Sequence, residues 1–301
     1  MDWITGIQNA INYIEDHLTE PIDYDRVARE SFSSSFHFQR VFSILCGYTL
    51  GEYIRYRRLT LAGTELAAGK EKVIDIAAKY GYDSPDSFAR AFQKFHGITP
   101  SQARSNGAVL RSFSRLSIKV TLEGGSMMHY RIEEKPEMIL TGFKKRFYGE
   151  PADMKHQDHE FIINTRLKQY ILEGMAHDCD TSYTVMTNFG SDGYDYYIAS
   201  KLCEASRRDM AWELGEEVAA WYEHIPIPAG QYLVCETRRC QYPVDEIDAL
   251  RRQAVTEWLP GSGYVLRDAP EIGVVHWYWE ESNEQLNSSR YCEIWLPISK
   301  A

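Results

Sequence analysis

The sequence predicts a multidomain chain: an all-α double helix-turn-helix, then an α+β domain of two βαββ repeats on an antiparallel sheet. Three observations carry that reading. The first hundred residues repeat themselves at a spacing of about fifty. The apolar periodicity turns from helical to alternating near residue 127. The stretch between the two regimes is rich in Ser, Gly and isolated basic residues. A length of 301 residues also gives a prior of two domains.

The front elements follow in order. Residues 3–18 place Trp3, Ile7, Ile11, Ile14 and Leu18 on one helical stripe, and Pro21 ends it. A short helix is predicted at Asp25–Glu30. Ser33, Ser34 and Ser35 offer N-cap oxygens for a third, in which Phe38, Val41, Phe42 and Leu45 make a buried face and Gly47 stops the helix. The design recurs downstream. Asp75–Tyr80 is the short helix and Ser84 caps the next. Pro85 takes the first helical position, where its missing N–H costs nothing, and Phe88, Ala91, Phe92 and Phe95 face inward before Gly97. Phe38, Arg40, Phe42, Gly47 and Thr49 thus return as Phe88, Arg90, Phe92, Gly97 and Thr99. Each copy is a helix-turn-helix.

The outward face of the first copy carries Phe36, Gln39, Arg40 and Ser43; that of the second carries Asp86, Ser87, Arg90 and Lys94. Arg can bond guanine bidentately or contact phosphate, and Gln suits adenine; the alternative is a solvated bundle face. Between the copies, Leu50–Ala67 reads as one helix of roughly 27 Å at 1.5 Å per residue. A rod of that length can set two recognition helices about one turn of duplex, roughly 34 Å, apart. Arg55, Arg57 and Arg58 on it are candidate phosphate contacts, or a solvated face.

The run Ala28 to Arg58, the phrase Ile76-Ala77-Ala78-Lys79-Tyr80-Gly81-Tyr82, and the ending from Phe92 through Thr99-Pro100-Ser101 to Arg104 resemble the AraC/XylS DNA-binding domain over residues 3–105. The resemblance implies double-stranded DNA as partner and RNA polymerase as a further one. It implies a bacterial, cytoplasmic, nucleoid-associated regulator. Its base-reading positions fall on Phe36, Gln39 and Arg40, then on Pro85, Asp86, Ser87 and Arg90. Asp86 departs from the uncharged polar residue often found there, which puts the second helix's specificity in question.

The predicted boundaries are 1–107 for the DNA-binding domain, 108–126 for a linker with one strand at Leu116–Leu122, and 127–301 for the back domain. In the back domain His129–Phe147 reads as strand material broken at Lys135-Pro136, and Asp153–Leu172 as a helix. Tyr183–Phe189 and Tyr194–Leu202 read as strands. The order restarts with a strand at Gln231–Thr237, a helix at Pro243–Trp258, and strands at Ile272–Trp279 and Tyr291–Ile298. This half holds 23 of the 39 aromatic residues.

The last strand is the sharpest piece. Alternation puts Tyr291, Glu293 and Trp295 on one face and Cys292, Ile294 and Leu296 on the other. A carboxylate between two aromatic rings suits a pocket for a cationic or polar ligand. The alternatives are an edge glutamate facing water or one paired with an arginine. Glu271 is a second carboxylate to weigh, against a solvated turn residue after Pro270.

Ile225-Pro226-Ile227-Pro228-Ala229-Gly230-Gln231-Tyr232, Trp258-Leu259-Pro260-Gly261-Ser262-Gly263-Tyr264 and Glu293-Ile294-Trp295-Leu296-Pro297-Ile298 resemble the GyrI-like (gyrase-inhibitor-like, SHS2) effector-binding domain over residues 128–299. The resemblance implies a ligand cleft between two βαββ repeats, with Glu293 as the matching acidic residue. Tyr291 and Trp295 follow by strand geometry, and Tyr148, Tyr197 and Trp277 are further wall candidates. The implied ligand is a small molecule, a lipophilic cation or drug-like compound.

Composition limits the rest. The net charge of −10 divides unevenly, 12 basic against 13 acidic residues over 1–107 and 21 against 30 beyond. The near-neutral front is thus compatible with DNA in a chain whose pI is 5.4. No apolar run reaches the ~18 residues of a membrane span. Six scattered cysteines form no CxxC pair, which fits a reducing cytoplasm and gives no zinc site. His156 and His159 lack a metal partner and read as surface residues. No cofactor motif and no catalytic motif is present, so a regulator is expected rather than an enzyme. The alternatives kept open are a GyrI-like hydrolase with Glu293 as general base beside a Tyr, and a protein-binding module.

Overall fold

The computed structural model describes residues 3–69, 71–118, 128–148, 151–176, 178, 180–190, 192–278 and 289–300, with backbone alone for Trp3 and residues 151–157. The chain divides into two compact units, residues 1–39 with 49–123 and residues 40–48 with 124–301.

The first unit is helical. It comprises α1 (Trp3–Asp16), α2 (Tyr24–Glu30), the start of α3 (Ser35–Cys46), α4 (Leu50–Ala68), α5 (Val73–Lys79), α6 (Pro85–His96) and α7 (Pro100–Ala103). The repeated residues have repeated jobs. Thr49 and Thr99 each form a capping box, with Glu52 and Gln102, which fixes where α4 and α7 begin. Gly47 and Gly97 both turn the chain left-handed, at φ 80° and 79°. The turn inside each helix-turn-helix makes the same hydrogen bonds, Ser33 N–H to Ala28 O and Tyr82 N–H to Ala77 O, at 3.1 and 3.0 Å. Both turns need a positive φ. The second copy uses Gly81, the first Phe32 at 57°. In the second helix-turn-helix Ile76, Tyr80, Phe88 and Phe92 are buried in one cluster with Leu59 and Leu66 of α4.

Residues 108–118, expected as free linker, are strapped onto this unit. Phe113 N–H donates to Thr60 Oγ1 at 2.9 Å and Leu116 N–H to the Tyr53 hydroxyl at 3.2 Å. The Phe113 ring packs on Tyr53 and Tyr56. Leu116–Ile118 form no strand, the Leu116 N–H being taken by the Tyr53 side chain of α4, and the remainder of the expected strand lies outside the described residues.

The second unit holds β1 (His129–Lys135), β2 (Met138–Tyr148), α8 (Pro151–Asn164), α9 (Arg166–Met175), β3 (Thr181–Gly190), β4 (Gly193–Ser200), α10 (Glu204–Leu214) and α11 (Glu216–Ala219). The second repeat follows with β5 (Glu223–Ile227), β6 (Gly230–Glu236), α12 (Ile247–Gln253), α13 (Leu259–Ser262), β7 (Tyr264–Leu266), β8 (Glu271–His276) and β9 (Tyr291–Lys300). All pairings are antiparallel, in the order β1-β6-β9-β8-β3-β4-β2-β5, with β7 on the end of β9. Numbering the main strands of each repeat one to four, that order is 1, 2′, 4′, 3′, 3, 4, 2, 1′. It reads the same from either edge, and the repeats exchange their opening strands.

Each repeat is therefore ββαββ, one strand longer than the βαββ expectation. The strand missed in the second repeat is β5, whose Pro226 would break an interior ladder; β5 is an edge strand, where Pro is tolerated. The two faces of the sheet differ. Phe143 and Phe147 pack with Phe161 of α8, Leu172 of α9 and Met210 of α10. The opposite face carries Leu140, Val185, Tyr197, Ile225, Tyr232, Ile272, Val274 and Trp295 in one cluster, every member a strand residue. The sheet is thus curled, closing this face over its own side chains.

Candidate functional site

The DNA-facing candidates fall into two kinds. On α6, Ser84 accepts a hydrogen bond from Ser87 N–H at 3.2 Å and Pro85 opens the helix. With Phe88 and Phe92 buried, the helix exposes Pro85, Asp86, Arg90 and Lys94. Ser87 is half-buried, its hydroxyl donating to Ser84 O at 2.8 Å. On α3, Phe36 and Gln39 are half-buried, and Gln39 donates to Ser35 Oγ at 3.2 Å. Arg40 groups with the second unit and is 5 % exposed.

The α4 arginines do not act alike. Arg55 is exposed, 3.8 Å from Glu52 and with its guanidinium 5.3 Å from the centre of the Tyr56 ring. Arg57, expected at the phosphate backbone, is instead an internal strut. It grips both oxygens of Glu15, at 2.8 and 2.9 Å, and donates to Phe113 O at 2.6 Å. Tyr53 gives Glu15 a third bond at 2.6 Å. Burial pushes the Glu15 carboxyl up, but the bonds from Arg57 and Tyr53 outweigh it and hold it below the usual carboxylate range. Arg57 thus spends three of its five N–H donors inside the unit, and its side chain is 12 % exposed. Arg58 likewise donates to the carbonyls of Leu18 and Glu20, at 2.7 and 2.6 Å.

The ligand candidates converge better. Strand register puts Trp295 in one row with Val234 and Arg131 on one side, and with Ile272, Val185 and Tyr197 on the other. Tyr291, Glu293, Trp295 and Tyr197 therefore share the all-strand face. Glu293 is 6 % exposed. One carboxylate oxygen accepts from Arg131 at 2.8 Å and the other from the Trp295 indole N–H at 2.6 Å. The arginine-paired alternative for Glu293 is the observed one. Arg131 also bonds Glu133 and Glu236. Burial pulls its guanidinium down, and the carboxylates of Glu293 and Glu133 hold it above its ordinary value. The Lys135 ammonium, tied to Glu133, sits 4.1 Å from the Trp295 ring centre. Tyr291 stacks on His276 at 4.2 Å, and burial lowers that imidazole's pKa.

Two wall candidates lie apart. Trp277 donates its indole N–H to Ser182 Oγ at 2.8 Å, and Ser182 is out of phase with Tyr183, which lies in the Glu293 row. Tyr148 shares the phase of the Glu293 face but ends β2 and is 55 % exposed. Tyr197 donates to Glu223 at 3.1 Å. Glu271 is no solvated turn residue: it opens β8, is 2 % exposed and lies 2.7 Å from Arg251. His159 is exposed, and the His156 side chain lies outside the described residues. Arg131 and Lys135 were missed, although alternation along β1 places Arg131, Glu133 and Lys135 on one face. Among the described residues no His, Cys, Asp and Glu cluster could hold a metal ion, and no helix is long and apolar enough to cross a membrane.

Comparison with known proteins agrees with this organisation. Residues 27–106 match a helix-turn-helix domain family. The chain is 25% identical over 287 residues to the Right origin-binding protein of Escherichia coli K12, covering 90% of this chain and 96% of that protein. It is 42% identical over 98 residues to the Regulatory protein SoxS of Salmonella typhimurium, covering 33% of this chain and 92% of that one. A solved integron cassette protein from the mobile metagenome of Vibrio cholerae aligns with 56% of this chain and 95% of its own, at 17% identity and a TM-score of 0.38. Residues 131–298, more than half of the chain, match the family described as integron-associated effector binding protein. The chain belongs to that family and carries its effector-binding domain behind an AraC-type DNA-binding helix-turn-helix domain.

Proposed function

We propose that this AraC-type regulator senses a lipophilic organic cation at the Glu293 face and changes its DNA binding in response. The observation that carries the reading is Glu293 itself, a carboxylate 6 % exposed on an aromatic, all-strand face, beside Trp295, Tyr291 and Tyr183. A buried carboxylate with an indole ring beside it stabilises a cation by ion pairing and by cation–π attraction of about 0.5–2 kcal/mol per ring.

On the DNA side, Arg90 and Lys94 of α6, with Phe36 and Gln39 of α3, are proposed contacts. Arg40, a reading position by the family resemblance, is 5 % exposed and offers no free edge to a base, and Arg55 serves as a phosphate contact. RNA polymerase is the proposed partner at the promoter and the bacterial cytoplasm the proposed site of action. The domain limits are proposed as 1–118 and 128–301. The hydrolase alternative gains nothing from the geometry, since both Glu293 oxygens are already engaged by Arg131 and Trp295.

Calorimetry with tetraphenylphosphonium and the neutral triphenylphosphine oxide tests the reading. Glu293→Gln is expected to weaken the cation at least tenfold and leave the neutral compound unchanged. Equal effects on both would refute recognition by charge.

A further inference from the structure

We infer that Lys135 is an internal cation that occupies the ligand's place in the free protein, and that it sets which cations can enter. The inference rests on the proposed reading of the Glu293 face as a cation site. Three observations place Lys135 there. Its ammonium lies 4.1 Å from the centre of the Trp295 ring, the position an organic cation takes on an aromatic face. Trp295 is the residue whose indole N–H holds Glu293, so the lysine packs on the ring that flanks the carboxylate. Glu133 anchors it, and Glu133 is in turn shared with Arg131, which occupies the other oxygen of Glu293. Both features of a cationic ligand, charge neutralisation and ring contact, are thus already supplied by the chain.

The arrangement is also built to open. Among the described residues β1 is an edge strand paired with β6 alone, and Lys135 is its last residue. Pro136 follows, so the ladder ends there and the lysine stem hangs from a strand terminus. The flexible four-carbon chain can carry the ammonium outward into water while its Glu133 partner stays with Arg131. An entering cation must therefore replace an interaction the lysine makes for nothing. A small hydrated ammonium gains no advantage over Lys135. A cation with a large apolar body does, because it buries ring surface that the thin lysine stem leaves uncovered. Lys135 is thereby a specificity-determining residue.

The test is calorimetric binding of tetraphenylphosphonium and tetramethylammonium to the full chain in four forms: wild type, Lys135→Met, Lys135→Gln and Lys135→Arg. Thermal unfolding reports that each is folded. Removing the internal cation is expected to tighten tetraphenylphosphonium about 3- to 30-fold, the factor a cation–π contact represents. It should also bring tetramethylammonium binding within the measurable range. Lys135→Arg should behave as wild type. An unchanged or weaker tetraphenylphosphonium affinity in both Lys135→Met and Lys135→Gln, with wild-type binding intact, would overturn the inference alone. No binding of tetraphenylphosphonium to any of the four forms would overturn the cation reading beneath it, and the inference with it.

Discussion

Arg55 and Arg57 stand two positions apart on one helix, and that spacing turns them to opposite sides. Arg55 meets water, while Arg57 braces α1 against the strap through Glu15 and Phe113. Breaking a buried pair by removing one partner costs about 3–5 kcal/mol. Arg57→Ala is expected to lower urea-unfolding stability by that order and to leave the salt slope of DNA binding unchanged. Arg90→Ala should do the reverse: stability within ~0.5 kcal/mol of wild type, with the slope of log K against log salt reduced by about one. A slope change in Arg57→Ala at constant stability would return Arg57 to the phosphate backbone. Helical phase made this difference partly legible, since Arg57 follows Tyr53 and Ile54 round the buried side. The partner of Glu293 was not legible. Arg131 is 162 residues away in sequence and reaches Glu293 only because β1 is exchanged onto β6, beside β9.

At the scale of elements, the fifty-residue repeat was legible because caps and turns demand particular residues. Thr49 and Thr99 close capping boxes, and Gly47 and Gly97 reverse the chain. The turns at Phe32 and Gly81 show where one conformation is met by different residues. Gly81→Ala would hold a Cβ at φ 80°, 2.9 Å from an Arg58 nitrogen. It is expected to cost about 1–2 kcal/mol in thermal unfolding, whereas Phe32→Gly should be neutral or mildly stabilising. Equal losses would mean that the two turns are not equivalent.

The strap was illegible because its anchors are single side chains rather than a pattern. One is His96, buried between Leu59 O at 3.0 Å and Arg111 N–H at 3.2 Å. Its Nδ1 accepts from that N–H, so the proton sits on Nε2 and the ring is neutral. Burial lowers its pKa below 6.5. The unfolded chain therefore binds this proton first as pH falls. The stability it contributes is complete above about pH 6.5 and is lost as pH drops through the depressed folded value. A fragment of residues 1–118 should melt higher than one of 1–107 at pH 7.5, and the gap should narrow towards pH 5. A gap that is absent, or constant with pH, would remove the strap from the folded unit.

For the whole molecule, charge and chemistry are divided along the chain. The front is close to neutral and exposes Arg90 and Lys94; the acidic back closes an aromatic face over a carboxylate already paired with the chain's own Arg131. Fold class was legible at this scale from periodicity and the repeat. The palindromic strand order was not, because an exchanged edge strand that carries Pro226, with Pro228 directly after its end, has the local signature of a loop. A ligand alters transcription only if it binds two states of the protein with different affinity. The most direct measurement is the affinity of the full chain for a DNA site selected from a random pool, with and without saturating tetraphenylphosphonium, in wild type and in Glu293→Gln. The account predicts a cation-dependent change in DNA affinity in wild type that disappears in Glu293→Gln. The same DNA affinity with and without the cation in wild type, or an equal change in the variant, would contradict it.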